Sequence, residues 1–389
     1  MSESLYESLP TAMADGGAEA ALEHLAARLR AEQKFHELFD ARLMLARHRL
    51  GLPLIGGTSI DELPEPLRTQ TEEAYLTACR EVGELLVREG KLREAWMYLR
   101  PVGEKKSIAA ALERAEVDDA NLDELVELAL HEGVAPAQGF QMVLDHYGTC
   151  NAITMFESMV SQQPLAAQTA AAERLIEHLY RDLLESVRLQ IEGRHPGAAA
   201  DKSLGELVAE QPWMFDNESY HIDISHLAST VRYARLVSRP EPLQQAWELT
   251  EYGRRLAAQY QFAGEEPFAE IYPSHGLLFA ATLGRQVDEA IAYFRSRAEQ
   301  VDPQQEGTGA LETYLILLAR LARHREAMEE MARLAPRDLP LSGYAPKLFE
   351  LASACGAFAR YLDICRERED LLGYAAGLIA ESGEQKAES

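Results

Sequence analysis

The chain has 389 residues and a formal charge of −25, from 38 Lys and Arg against 63 Asp and Glu. That balance opposes attraction to phosphate backbones, because nucleic-acid affinity depends on Lys and Arg displacing counterions, and it disfavours nucleic acid as a partner. No apolar run approaches bilayer length, and the first residues lack both a basic start and an apolar centre, so a cytoplasmic chain without a membrane partner is expected.

The predicted elements are helices from one end to the other. After a polar start expected to be flexible over residues 1–16, apolar positions fall at helical spacing at Leu22, Leu25, Ala26 and Leu29, and again at Phe35, Leu38, Phe39, Leu43 and Leu45. Further stripes run from Tyr75 to Leu86, Leu92 to Leu99, Leu122 to Leu130 and Phe140 to Phe156, followed by a long one from Ala167 to Ile191. The pattern resumes at Leu227 to Leu236, Leu243 to Leu256, Ile291 to Ala298, Leu311 to Met331 and Leu348 to Leu362, before a polar end at 382–389 expected to be flexible. Period-two alternation is absent over any window of strand length, so the chain reads as all-α.

Short breaks at Gly90, Pro136, Pro164 and Gly284 favour packing between sequence neighbours. Roughly fourteen helices joined in this way bury their faces most readily as stacked hairpins. The reading is of one array, with hairpins over 17–193 continuing over 194–381. A seam, if present, falls between Gly193 and Trp213, where EGRHPGAAADKS offers few large apolar residues.

Three segments sharpen the expectation. REVGELLVREGKLREAWMYL carries Gly83, Gly90 and Ala95 at small-residue positions. GRQVDEAIAYFRSRAEQVDP places Ala290, Phe294, Ala298 and Pro303 similarly, and LILLARLARHREAMEEMARLAP places Ala319, Ala327, Met331 and Pro336. These segments resemble tetratricopeptide repeats. The resemblance covers about a quarter of the chain and implies an α-solenoid of antiparallel helical hairpins with a concave groove that binds a peptide or protein segment. The long stripe from Ala167 and the stretch from Gly193 to Tyr220, read as a loop, depart from the pattern.

Partner chemistry follows from charge. A basic peptide, a cationic metabolite or a metal suits an acidic field, although acidic balance is also a solubility device. Cys79, Cys150, Cys355 and Cys365 have no paired short spacing and suggest neither a disulfide framework nor a four-cysteine zinc site.

Seven of the eleven histidines fall between His131 and His275. In HYGTC, His146 and Cys150 lie four residues apart, which on a continuous helix puts them on one face as two metal ligands or as a thiolate and its base. Gly148 between them can break that relation. In HIDISH, a helix capped by Asp223 or Ser225 places His226 in its first turn and His221 just before it. His221, Asp223 and His226, with His146, then form a candidate site for a divalent transition metal such as zinc, and Cys150 and His226 are the candidate catalytic pair. The same helix N-terminus favours an anion on His221 and His226 instead. Against both readings, Asp223 serves as a cap and His226 as a packing histidine.

Three other clusters carry weaker chemistry. Trp213, Met214 and Phe215 form an anchor or a ligand wall. Glu248 and Glu251 share a face, with Arg254 and Arg255 pointing to surface pairing. Tyr272, Ser274 and His275 supply no triad, because adjacent residues cannot by adjacency make a nucleophile and base. The reading that results is a helical-repeat scaffold binding a peptide or protein segment. Its alternative is a metal-dependent or Cys/His enzyme acting on a small molecule at the central histidines.

Overall fold

A computed structural model describes residues 5–56, 59–336 and 339–387. Every regular element among them is helical, and the only β pairing is an isolated bridge between Ala263 and Glu270. The chain forms two compact units, Met1–Val143 and Leu144–Ser389.

The first unit contains α1 (Leu5–Ala31), α2 (Phe35–Arg49), α3 (Leu67–Arg88), α4 (Leu92–Val102), α5 (Lys106–Leu112), α6 (Leu122–Val126) and the start of α7 (Pro136–Ser158). Its best-defined pair is α3 with α4. Ala78, Cys79, Val82 and Leu86 of α3 face Leu92, Ala95, Trp96 and Leu99 of α4, all buried. A Cβ at Gly83 would stand 2.5 Å from Leu99 Cγ, so the small residue there is required by the closeness of the two helices. Residues 5–16, expected to be flexible, are helical, and the His24 ring is hydrogen-bonded to Ser8 Oγ at 2.9 Å. Residues 1–4 lie outside the described residues.

The second unit is organised around α8 (Leu165–Arg194), 30 residues long. Leu175, Ile176, Leu179, Leu183, Val187 and Ile191 are fully buried along one stripe of it. At about 1.5–3 kcal/mol for each large side chain removed from water, that stripe is a major source of the unit's stability. Next come α9 (Leu204–Glu210), α10 (Ile224–Tyr233), α11 (Pro240–Gly253), α12 (Ile271–Thr282) and α13 (Val287–Gln300). The chain then runs through α14 (Pro303–Glu306), α15 (Gly309–Arg320), α16 (His324–Leu334), α17 (Leu348–Cys355), α18 (Phe358–Glu367) and α19 (Leu371–Ala387). Packing is chiefly between sequence neighbours, as in α11 on α12, α15 on α16 and α18 on α19, with α8 also contacting α10 and α11. Ala290, Phe294 and Ala298 of α13 and Ala327 and Met331 of α16 are buried, as their spacing requires.

Two boundaries differ from the sequence reading. The stretch 193–220 is not a loop: it holds α9, whose Ser203 and Glu206 form a capping box, and a 3-10 segment at Pro212–Glu218 that inserts Met214 into the core. The division between units falls at Val143 and Leu144, well before the expected seam at Gly193 to Trp213, which lies inside the second unit. At the C-terminal end, residues 382–387, expected to be flexible, continue α19, and residues 388–389 lie outside the described ones.

Candidate functional site

Among the described residues the side chains singled out as metal ligands are not assembled into a site. Within α7 the backbone at Gly148 takes φ 80° and ψ 169°, so His146 and Cys150 stand on either side of a break and the one-face relation of a continuous helix does not hold. Both are exposed. His221 is committed at both ring nitrogens: Nδ1 meets the Tyr252 hydroxyl at 2.9 Å and Nε2 meets Gln190 Oε1 at 2.5 Å. The Tyr252 oxygen also accepts the His221 backbone N–H at 2.9 Å, so its own proton goes to Nδ1 and Nε2 donates to Gln190. Burial holds the His221 pKa below its ordinary value, which keeps this neutral arrangement.

Asp223 is the cap of α10. Its Oδ1 accepts from Ser225 N at 2.8 Å and His226 N at 3.2 Å, and with the Ser225 hydroxyl these bonds hold its pKa down. The anion at this helix end is therefore the chain's own carboxylate, as the capping reading of Asp223 expects. Among the described residues no group of three or more His, Cys, Asp or Glu side chains is placed to hold a metal ion. The set His146, His221, Asp223 and His226 is thus not assembled as a site for a zinc-like ion; Cys150 is exposed, and His226 gives its backbone N–H to the Asp223 cap.

Glu248, read as a surface residue, is buried and accepts from Tyr180 Oη at 2.7 Å, Gly205 N at 2.9 Å and Gln244 Nε2 at 2.8 Å, tying α8 and α9 to α11. Glu251 pairs with Arg254 as expected, at 3.1 Å. His178 meets Thr149 Oγ1 at 3.1 Å and Asp182 Oδ2 at 3.2 Å through the same Nε2, and Arg181 donates to its Nδ1. A relay needs both nitrogens in sequence between base and nucleophile, so this cluster ties helices together.

Two adjoining cavities in the second unit offer a better candidate. One, of about 570 Å³, is bordered by Arg232, Arg235, the segment 263–268, Ile271, His275, Glu306 and Gly309. The other, of about 440 Å³, shares Arg232, Arg235 and Gly309 and is otherwise mostly apolar, with Phe156, Leu165, Tyr233, Leu236, Leu278 and Ile316 beside Arg320 and Tyr344. Both are in the size range of ligand pockets.

Each wall has a local cause. Phe156 stacks on Tyr233 with ring centroids 4.0 Å apart, and the Tyr233 hydroxyl donates to Glu157 at 2.9 Å, fixing the tyrosine. Tyr344 donates to Gln168 Oε1 at 2.8 Å, holding segment 339–345 against α8. Glu312 accepts from Thr308 Oγ1 and Ser342 N at one oxygen and from Ser342 Oγ at the other. The Arg235 guanidinium lies over the Phe268 ring at 5.2 Å, with Nε donating to Arg232 O at 3.0 Å. Arg320 Nη2 donates to Arg235 O at 2.6 Å, its Nη1 is buried without a partner, and burial lowers its pKa to about 10.

His275 completes the polar cavity. It is 1% exposed, stacked on Phe268 at 4.0 Å, and its Nδ1–H donates to Ile271 O at 2.7 Å. Its Nε2 is a buried acceptor without a partner. Burial, reinforced by Arg235, lowers its pKa to about 3. The sequence reading named His275 but missed the arginines. Two arginines in VRYARL look like ordinary helix-surface charge, and only the tertiary fold brings Arg320 beside them.

Comparison with known protein families, curated proteins and solved structures yields no match to this chain.

Proposed function

We propose that the chain is a helical-repeat binding protein, a degenerate tetratricopeptide-like scaffold, and that the second unit takes a peptide segment of a partner. The observation that carries this reading is the pair of adjoining cavities walled by α10, α12, α15 and the start of α8. An apolar compartment next to a charged one matches how helical scaffolds bind a segment, with an apolar anchor setting affinity and polar groups setting orientation. The metal-dependent alternative requires His146, His221, Asp223 and His226 to converge, and among the described residues no group of three or more metal-binding side chains supports it.

Selection of random displayed peptides on the purified full chain tests the reading. Thr313 borders the apolar cavity, and its hydroxyl bonds only the Gly309 carbonyl of its own helix. Thr313→Trp should therefore fill the cavity with little effect on the fold. Enriched peptides should bind the parent and lose at least about tenfold in affinity with this variant, the scale of one buried apolar anchor. A selection without enrichment, or peptides that bind both proteins equally, would overturn the reading.

A further inference from the structure

The apolar cavity contains positive charge that the fold leaves without direct ion pairs. Arg232, Arg235 and Arg320 all border it, and none of the three forms an ion pair among the described residues. Their neighbours behave differently: Arg239 holds Glu173 at 2.8 Å, Arg297 holds Glu266 at 3.4 Å and Arg323 holds Glu326 at 2.6 Å. In a chain with 63 acidic residues, three clustered arginines without a direct ion pair are a departure that calls for a cause, since the carboxylates nearby, Glu312 and Glu265, are not paired with them.

A buried guanidinium nitrogen without a partner is costly, and that is the condition of Arg320 Nη1, while Arg232 is half-buried and Arg235 reaches solvent beside the Phe268 ring. The cavity's own acid, Glu312, is held by Thr308 and Ser342 and forms no ion pair with the arginines among the described residues. Glu265, Glu266 and Glu306 share the polar cavity with Arg232 and Arg235 but form no ion pair with them among the described residues, Glu266 pairing with Arg297 instead. Guanidinium groups bind carboxylates through paired N–H donors, so a carboxylate from outside satisfies donors that the protein leaves open.

We propose that the partner segment is acidic: a carboxylate side chain sits among Arg232, Arg235 and Arg320, and a neighbouring apolar side chain fills the space walled by Phe156, Leu278 and Ile316. This rests on the peptide-binding reading above and reverses the basic partner expected from net charge. The reversal is physical, because the field of distant surface acids is screened beyond roughly 10 Å whereas the arginines act at contact.

The test uses two small fluorescent probes of similar shape, anilinonaphthalene sulfonate and uncharged N-phenylnaphthylamine, with the full chain. The parent should bind the sulfonate at least about tenfold more tightly, the scale of one hydrogen-bonded charge. Arg232→Gln should abolish that difference without weakening the uncharged probe, which reports that the cavity is intact, and Arg232→Lys should restore part of it. Acetyl-Glu-Phe-Glu-amide should displace the sulfonate where acetyl-Gln-Phe-Gln-amide does not. Equal binding of both probes by parent and variant would overturn the acidic specificity while leaving the recess standing. Failure of both probes to bind would overturn the recess itself, and displacement by inorganic phosphate but not by the glutamate peptide would overturn the peptide as the source of the anion.

Discussion

Burying an imidazole whose Nδ1–H is bound to a helix carbonyl leaves a neutral ring with a bare Nε2 lone pair, and His275 is in that condition. Its folded pKa of about 3 lies below the ordinary 6.5. The sign follows from proton binding: below about pH 6.5 the unfolded chain takes up a proton that the folded chain refuses, so stability is present above 6.5 and is lost as pH falls toward 3. One such group contributes a slope of up to about 1.4 kcal/mol per pH unit in that window. Urea unfolding at pH 7, 5.5 and 4.5 should show this loss in the parent and a smaller one in His275→Gln. Parallel losses in both proteins would show that His275 is not the group responsible. At this scale sequence had limited reach, since Ser274 and His275 could be named but the burial and the unpartnered nitrogen arise from Phe268 and Arg235 on other elements.

Helix α12 holds His275 in place through its crossing with α11. A Cβ at Gly253 would fall 2.3 Å from the Tyr272 ring, and one at Gly276 would fall 2.7 Å from Thr250 Oγ1, so the two helices meet nearly backbone to side chain. Gly253→Ala should destabilise by about 2 kcal/mol, the overpacking cost exceeding the gain in helix propensity. Gly193→Ala, where an added Cβ meets nothing within 4 Å, should be neutral or slightly stabilising. Thermal melts of the two variants check this contrast, and equal melting temperatures would mean that the crossing is looser than described. The existence and type of elements were legible in the sequence because apolar period 3.6 is a local property, and the Asp223 cap was legible for the same reason. The 193–220 stretch was misread because its helix α9 is only seven residues long and its anchor, Met214, is identified by burial and not by pattern. The one-face relation of His146 and Cys150 failed at one residue, Gly148, whose positive φ breaks α7 between them, and the metal set failed because His221 and Asp223 are bonded within the fold.

Across the whole chain, charge and architecture carry different information. The net charge of −25 describes the surface and gave no sign of the arginine-lined recess, whose members come from α10, the turn after it and α15. Two compact units were not separable by composition, because the division lies within the stretch from Phe140 to Phe156 that is apolar on both sides of Gly148. Among the described residues no helix is long and apolar enough to cross a membrane, in keeping with the composition. The claim that joins these observations is that the second unit binds an acidic, apolar-anchored segment at one place. Hydrogen exchange of the full chain with and without saturating anilinonaphthalene sulfonate tests it most directly, since ligand binding slows opening of the elements it bridges. The account predicts slowed exchange in 156–168, 232–236 and 309–320, removed by Arg232→Gln. Slowed exchange confined to 5–143 or to 203–221, or protection that Arg232→Gln leaves unchanged, would contradict it.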